Sequence, residues 1–406
     1  MEITIITQLY WPEKSAPSRR LRRMASHLSL HHKVTVFTAF PNYPTGKVFP
    51  GYKLRWLTKE IHEGVQVVRS WIIPAPNAGV FPRLASYVSF FFSGVINVVR
   101  SIPKSDIVIA SSPQLLVGLL GVVAAWRRRA FLILEVRDIW PDSISVMGLI
   151  TSPVVLFPLR RLEAFLYKRA DRIVVVTEGM RDQIVQKGVS REKVYILPNS
   201  VDTDVFYPVA NTSPLGSQRG RYIACFAGNH SKAQNIFDVV RAAEFSEKNG
   251  YPITFVFIGE GEEKSRMQEY AATHKLSNTV FLPQQNTERL REYLSAADVC
   301  ITSILPSPLF YSALPTKTLE YLACGRPVIF YGRNMFGRKL TTEGIGLSIE
   351  TSDFRDIPKA VLNICDDAVA KDTMGNRARH FVERQYSVGN FVERVDALIK
   401  GIPSHG

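Results

Sequence analysis

Short runs of β-branched and aromatic residues alternate with stretches of helical periodicity along the whole chain. Such an alternation admits few folds beyond parallel sheets covered by helices on both faces. In the first half the strand-like runs are Ile3 to Gln8, Lys33 to Thr38, Asp106 to Ala110, Phe131 to Val136 and Arg172 to Thr177. In the second they are Tyr222 to Gly228, Ile253 to Gly259, Val280 to Pro283, Val299 to Ser303 and Val328 to Tyr331, with helices expected near 235–249, 262–275 and 287–297. With 406 residues, 46% of them hydrophobic, the chain has apolar material for more than one core. The expectation is an α/β protein of two doubly wound parallel-sheet domains facing across a cleft: residues 1–198, a turn-rich linker at 199–220, residues 221–385, and a C-terminal helix at 386–406 crossing back to the first domain. Open sheets of this kind bind ligands beyond the carboxyl ends of their strands, so chemistry is expected there.

The net charge of +14 is unevenly placed. Residues 1–200 hold 27 Lys/Arg against 13 Asp/Glu, and residues 201–406 hold 23 against 23. A partner attracted by that excess, whether anionic lipid, a phosphate-bearing acceptor or nucleic acid, is expected to meet the first half; chance clustering of solvated charge is the plainer reading. Two apolar stretches lie in that half. Leu115 to Trp126, followed by Arg127-Arg128-Arg129, sits between two strands and reads as a buried βαβ helix. Leu84 to Val99, with Tyr87, Phe90, Phe91 and Phe92 between Arg83 and Arg100, fits either a core helix or one lying at a lipid headgroup boundary. Leu156 to Lys168, with Arg160 and Arg161, could extend such a surface or be a solvated helix face. The opening Met1-Glu2 runs directly into a strand without a secretory leader's pattern, which points to the cytoplasm, and the charge asymmetry with these stretches points to peripheral attachment to the inner membrane. Cys225, Cys300, Cys324 and Cys365 are widely spaced within or beside apolar runs and read as buried thiols.

The segment Leu314-Pro315-Thr316-Lys317-Thr318-Leu319-Glu320-Tyr321-Leu322-Ala323-Cys324-Gly325-Arg326-Pro327-Val328-Ile329 reads as a helix feeding a strand, with Pro315 at the first helical position and Gly325 and Pro327 at the exit. The N–H groups near Thr316 and Lys317 would be free to bind a diphosphate, with Lys317 adding a full charge. Glu320, one turn deeper, could accept the two hydroxyls of a ribose. The alternative is a surface ion pair between Lys317 and Glu320.

This segment resembles the nucleotide-sugar motif of the family-4 retaining glycosyltransferases of GT-B architecture, two Rossmann-like domains. Further similarities follow in the same order: Tyr10-Trp11-Pro12-Glu13, Lys33-Val34-Thr35-Val36-Phe37-Thr38, Pro41-Asn42-Tyr43-Pro44-Thr45-Gly46, Glu135-Val136-Arg137-Asp138-Ile139-Trp140-Pro141-Asp142-Ser143, Thr177-Glu178-Gly179-Met180 and Pro198-Asn199-Ser200-Val201-Asp202. They look most like the branch that builds bacterial surface polysaccharides, including aminosugar transferases of O-antigen, capsule and colanic-acid assembly. The resemblance implies transfer from a nucleotide-diphosphate sugar, UDP-linked, to a polyprenyl-diphosphate-linked saccharide, with retention of configuration, no cofactor and no metal. Its partners would be the donor, the lipid-linked acceptor and, through the basic first domain, an anionic membrane surface; no nucleic acid is expected.

By the same resemblance Gly228, Asn229, Lys232, Gly259, Ser312, Pro315, Thr316, Lys317 and Glu320 line the donor side, and Glu13, Ser15, Arg19, Arg137 and Asp138 the acceptor side. Asp138, Lys232 and Lys317 are the candidates for catalysis. Ser312 stands where the family commonly has a first glutamate, eight positions before Glu320, so sugar recognition is expected to differ. The glycine pair usual after the first strand is replaced around Lys14-Ser15-Ala16-Pro17, and Arg137 replaces a histidine before Asp138. The Arg-then-Lys phosphate clamp becomes Gly228-Asn229-His230-Ser231-Lys232-Ala233-Gln234-Asn235, leaving Lys232 as its cation. Asp138 could orient the acceptor or assist its deprotonation, or it could cap a helix, a role Asp142 could also fill; Arg137 could bind an acceptor phosphate.

Other signals carry less. Asp202-Thr203-Asp204 has the look of a metal-holding motif but lies in the expected linker. Gly259-Glu260-Gly261 has two of the three glycines of a dinucleotide fingerprint, with Lys264 in place of the third. The eight histidines show no zinc spacing. Two rival functions remain open: a sugar-nucleotide epimerase on the same architecture, and a basic nucleic-acid-binding protein.

Overall fold

The structure, a computed structural model, describes residues 1–76, 80–112, 114–146, 148, 150–210 and 222–403. It divides into two compact units, residues 1–198 with 392–406, and residues 199–391.

The first unit runs β1 (Glu2–Ile6), α1 (Ala16–Leu28), β2 (Lys33–Ala39), β3 (Leu57–His62), β4 (Val65–Ser70), α2 (Val80–Ser101), β5 (Ile107–Ser111), α3 (Leu115–Arg128), β6 (Phe131–Val136), α4 (Asp142–Val146), α5 (Pro153–Arg169), β7 (Arg172–Val175), α6 (Glu178–Gln186) and β8 (Val194–Ile196). Its eight strands lie in the order β3-β4-β2-β1-β5-β6-β7-β8, parallel except for β3 against β4. Strand order reverses between β1 and β5, the usual place for a ligand in a doubly wound sheet. The β3–β4 hairpin turns through Glu63 and Gly64, both at positive φ, the geometry a two-residue hairpin loop prefers.

Helix α3 follows the core reading. Leu115, Val117, Leu120 and Ala124 are buried, and a Cβ on Gly121 would lie 2.4 Å from that of Ala110, so the helix presses directly on β5. Helix α2 packs into the unit on one face and leaves the other exposed. Its serines and Asn97 point inward: Ser93 bonds Ser70 Oγ at 2.9 Å and Trp71 O at 2.5 Å, and Asn97 donates to Trp56 O at 3.1 Å. Phe90 and Val98 share that inward face, while other apolar side chains point out, Phe81 at 84% and Phe92 at 65% exposure, joined by Leu84 and Ile96. Among the described residues it is the one helix long and apolar enough to cross a membrane, but the inward polar face is already bonded within the unit. Helices α3 and α5 add exposed Trp126, Val154, Phe157 and Phe165, with Arg161 over the Phe157 ring and Arg169 over Phe165.

The second unit runs β9 (Tyr222–Ala227), α7 (Ile236–Lys248), β10 (Ile253–Ile258), α8 (Lys264–Thr273), β11 (Thr279–Leu282), α9 (Thr287–Ala296), β12 (Val299–Ser303), α10 (Thr316–Ala323), β13 (Val328–Tyr331), α11 (Met335–Thr342), β14 (Gly346–Ile349), α12 (Asp356–Cys365) and α13 (Ala368–Gln385), ending inside α14 (Val388–Ile399). Its six parallel strands lie in the order β11-β10-β9-β12-β13-β14, and the order reverses between β9 and β12. Cys225, Cys300, Cys324 and Cys365 are buried and free.

The linker reading of 199–220 needs correcting where it can be seen. Residues 199–210 belong to the second unit: Val201 bridges to Ser387, Phe206 is buried, and Arg379 donates to the carbonyls of Thr203 and Phe206. Residues 211–220 of that span lie outside the described residues. Asp202 is engaged locally, its Oδ1 accepting the Asp204 amide at 3.1 Å.

Candidate functional site

In the second unit the candidate residues gather where the strand order reverses. Helix α10 is fastened there from two sides. The Tyr321 hydroxyl accepts from the Ala227 amide at 2.7 Å and donates to the Ala227 carbonyl at 2.6 Å, and the hydroxyls of Thr302 and Thr318 meet at 2.9 Å. These bonds place the start of α10 beside the end of β9. Pro315 sits one residue outside the helix, as its N-cap, rather than at the first helical position, because its ψ of 124° is extended. Lacking a side-chain donor or acceptor, it offers no cap bond, and the amides of Thr316 and Lys317 have no partner among the described residues.

The glycines leave room for this arrangement. Gly228 (φ 141°) and Gly259 (φ 138°) end β9 and β10, and a Cβ on Gly259 would lie 2.0 Å from Gly228 O. A Cβ on Gly228 would stand 3.1 Å from Lys317 Nζ. Lys317 makes no ion pair with Glu320, so the surface-pair alternative does not hold. Its Nζ is enclosed, without a hydrogen-bond partner, 3.8 Å from the centroid of the Phe226 ring. Burial outweighs the attraction of Glu320 and pushes the amine down to about 7.

His230, quoted in the sequence but given no role there, is fully buried with both ring nitrogens unpartnered. Burial, then Lys264 and Lys317, push it down to about 4, so it is neutral. Lys232 is exposed on a short turn after β9, and its amide donates to Glu262 at 3.2 Å. Asn229 is exposed and Ser312 buried. Lys264 is a structural tie, its ammonium bonded to the carbonyls of Gly259 and Leu282 and to Glu260.

In the first unit the acceptor-side candidates divide. Two of them are committed elsewhere. Glu13 is turned inward, Oε1 accepting the amides of Asn42 and Tyr43, both at 2.9 Å, with Oε2 enclosed and unpartnered; burial pushes its carboxyl up to about 7. Ser15 is the N-cap of α1, accepting from Ser18 N at 3.3 Å. Arg19 is exposed on α1. Arg137 and Asp138 come together just past β6: Arg137 Nε donates to Ser112 O at 2.7 Å and lies 4.0 Å from Glu135. The Asp138 carboxylate caps no helix and makes no hydrogen bond among the described residues. It keeps access to solvent, while the protein packed around it, including a small cavity shared with Trp140 and Leu115, pushes its pKa up against the pull of Arg137.

Three buried groups that organise these loops gave no functional signal in the sequence. Glu135 accepts from Arg20 Nε at 2.8 Å and Ser111 Oγ at 2.5 Å. Arg20 also donates to the carbonyls of Leu197 and Pro198. Arg69 pairs with Glu60 and donates to the carbonyls of Ala39 and Trp11, holding the loops after β1 and β2. Among the described residues no group of three or more His, Cys, Asp or Glu is placed to hold a metal ion.

Residues 15–200 match the family "Glycosyl transferase 4-like domain", and residues 211–381 match "Glycosyl transferases group 1". This chain belongs to the family-4 glycosyltransferases. The transferase is 24% identical over 80% of its length to WcaI of Escherichia coli K12, named for glycosyl transfer in colanic acid biosynthesis, covering 82% of that protein. It is 26% identical over 58% of its length to the UDP-Gal:alpha-D-GlcNAc-diphosphoundecaprenol alpha-1,3-galactosyltransferase of Escherichia coli, covering 61% of that chain. Anabaena HepE, solved with UDP and glucose, superposes with a TM-score of 0.70 at 16% identity, over 99% of this transferase and 100% of HepE. With both halves matched by glycosyltransferase families, the epimerase and nucleic-acid readings give way.

Proposed function

We propose that this glycosyltransferase moves an N-acetylated aminosugar or deoxy-aminosugar from a UDP-linked donor onto a polyprenyl-diphosphate-linked saccharide, with retention of configuration. The observation that carries the donor half is the start of α10, where two unpartnered amides and Lys317 stand at the strand-order reversal of the second sheet. As the glycosidic bond breaks, negative charge grows on the distal phosphate, and amides plus an ammonium are the groups that stabilise it. Exposed Lys232 adds a second cation, and no metal is needed for that charge. Glu320 receives the ribose hydroxyls. A well-placed donor of this kind is worth about 2.7–4 kcal/mol of barrier.

On the acceptor side, Asp138 orients the incoming hydroxyl or takes its proton, and Arg137 meets an acceptor phosphate. The HepE complex and the diphosphoundecaprenol-linked galactosyltransferase support a UDP donor and a lipid-linked acceptor respectively. Such an acceptor resides at a membrane. The outward apolar faces of α2, α3 and α5, interleaved with Arg100, Arg127, Arg161 and Arg169, suit the headgroup region of an anionic leaflet. We place the enzyme on the cytoplasmic side of the inner membrane, attached peripherally.

The test is a screen of nucleotide sugars against polyprenyl-diphosphate sugars with the intact protein, alongside Glu320→Ala. Transfer from a UDP sugar to a lipid-linked acceptor is expected, with the variant folded but weakened in donor binding. Wild-type donor affinity in Glu320→Ala would remove the site assignment.

A further inference from the structure

Lys317 is held in a way that is costly for a cation. Its Nζ is enclosed, has no hydrogen-bond partner among the described residues, and is pressed between the Phe226 ring and Gly228. An ammonium that has left water without a partner loses solvation that one aromatic face restores only in part. The groups around it do little to help. Glu320, on the same helix, favours the charged form. His230, from the loop after β9, has its ring centroid 5.8 Å from that of Phe226 and is neutral. Lys264 and Glu260, from the turn into α8, face His230 and pair with each other at 2.7 Å. The Tyr321 phenol is committed to Ala227.

We propose that donor binding is coupled to proton uptake: above neutral pH Lys317 rests on Phe226 largely as an amine and meets the donor's diphosphate as an ammonium, with the proton drawn from solvent and returned when the nucleoside diphosphate leaves. Phe226 is then a positioning residue that stores the amine between turnovers. The inference rests on the reading of α10 as the donor site. It adds a pH dependence to that site. No covalent bond to the donor is involved; the nitrogen lone pair gains one proton and later gives it back.

UDP is the probe, titrated calorimetrically at pH 8 in two buffers of different ionisation enthalpy. The second pKa of a phosphate is about 6, so UDP is already fully ionised there and a cationic site only strengthens that state. Protons taken up therefore go to the protein. With an amine titrating at about 7, the expected uptake is about 0.9 proton per UDP at pH 8 and about 0.5 at pH 7. The dissociation constant should weaken about fivefold from pH 7 to pH 8. Lys317→Arg, whose guanidinium stays charged, should take up none and show a flat profile, whereas His230→Gln should keep the uptake.

Saturable UDP binding by the wild type without uptake at pH 8 overturns the inference and leaves the donor site standing. Uptake that survives in Lys317→Arg, or in Lys317→Met should the arginine variant not fold, overturns it too. Absence of UDP binding at every pH takes down the donor reading and the inference with it.

Discussion

Arg20 and Glu135 form a buried ion pair, Nε to Oε1 at 2.8 Å, that reaches from helix α1 to strand β6 and, through the same guanidinium, to the carbonyls of Leu197 and Pro198. Burial alone would raise the Glu135 carboxyl, but Arg20, Arg137 and the Ser111 hydroxyl outweigh it and hold its pKa below the ordinary value. Arg20→Ala strands a carboxylate and two carbonyls, and a loss of about 3–5 kcal/mol in urea unfolding is expected. With the folded pKa depressed, the pair's contribution is present above the unfolded carboxyl's pKa and is lost as pH falls through the folded one. The wild type should therefore lose stability in acid below about pH 4.5 more steeply than Arg20→Ala.

Glu13 behaves in the opposite sense. Its pKa is pushed up by burial to about 7, against the lowering effect of the Tyr43 and Asn42 amides. An acid with a raised folded pKa binds more protons folded than unfolded, so its contribution to stability declines as pH climbs from about 4.5 to about 7, by on the order of 3 kcal/mol in all. Glu13→Gln keeps the oxygen that holds the two amides and removes the titration. Unfolding free energies measured across that window should lose this slope in the variant.

Asp138→Asn leaves the size of the side chain and takes away its charge. If that carboxylate handles the acceptor's proton, kcat should fall about 10²- to 10⁴-fold while UDP affinity is unchanged. A variant with wild-type turnover would reduce Asp138 to a bystander.

Phe92→Glu combined with Phe157→Glu alters two side chains that are already 65% and 63% exposed, so the fold should hold. Binding to vesicles containing anionic lipid, followed by sedimentation, should drop at least tenfold, and UDP binding should be untouched. The remaining wild-type attachment should weaken with added salt, as expected where basic side chains meet charged headgroups. Equal sedimentation of both proteins would argue for another surface.

Much of the fold was readable because strands buried on both faces are written as dense β-branched runs. Phe131–Val136, Val299–Ser303 and Val328–Tyr331 begin and end where the sequence places them. Hairpin β3–β4 was not, since Leu57–His62 is half exposed at a sheet edge and carries Lys59, Glu60 and His62. Strand β14 is four residues long and opens on a glycine. At the site, Lys317 was legible as a cation at a helix start, but its enclosure over Phe226 was not, because the two are 91 positions apart in the chain and meet through tertiary bonds such as that of Tyr321 with Ala227. Glu13 and Ser15 were read as acceptor-side residues, yet backbone amides hold both, those of Asn42 and Tyr43 from a distant loop and that of Ser18 from the next turn. Arg20, Arg69 and Glu135 look like ordinary surface charges in a linear chain, and only tertiary packing shows that each is buried with a partner.

The Val201 amide donates to the Tyr386 carbonyl at 2.9 Å, and Val201 bridges to Ser387, so the chain enters and leaves the second unit at neighbouring points. A segment whose two ends already meet needs no spanning tether when it is moved into a different polypeptide. The second unit is in that respect a cassette, open to recombination between glycosyltransferases.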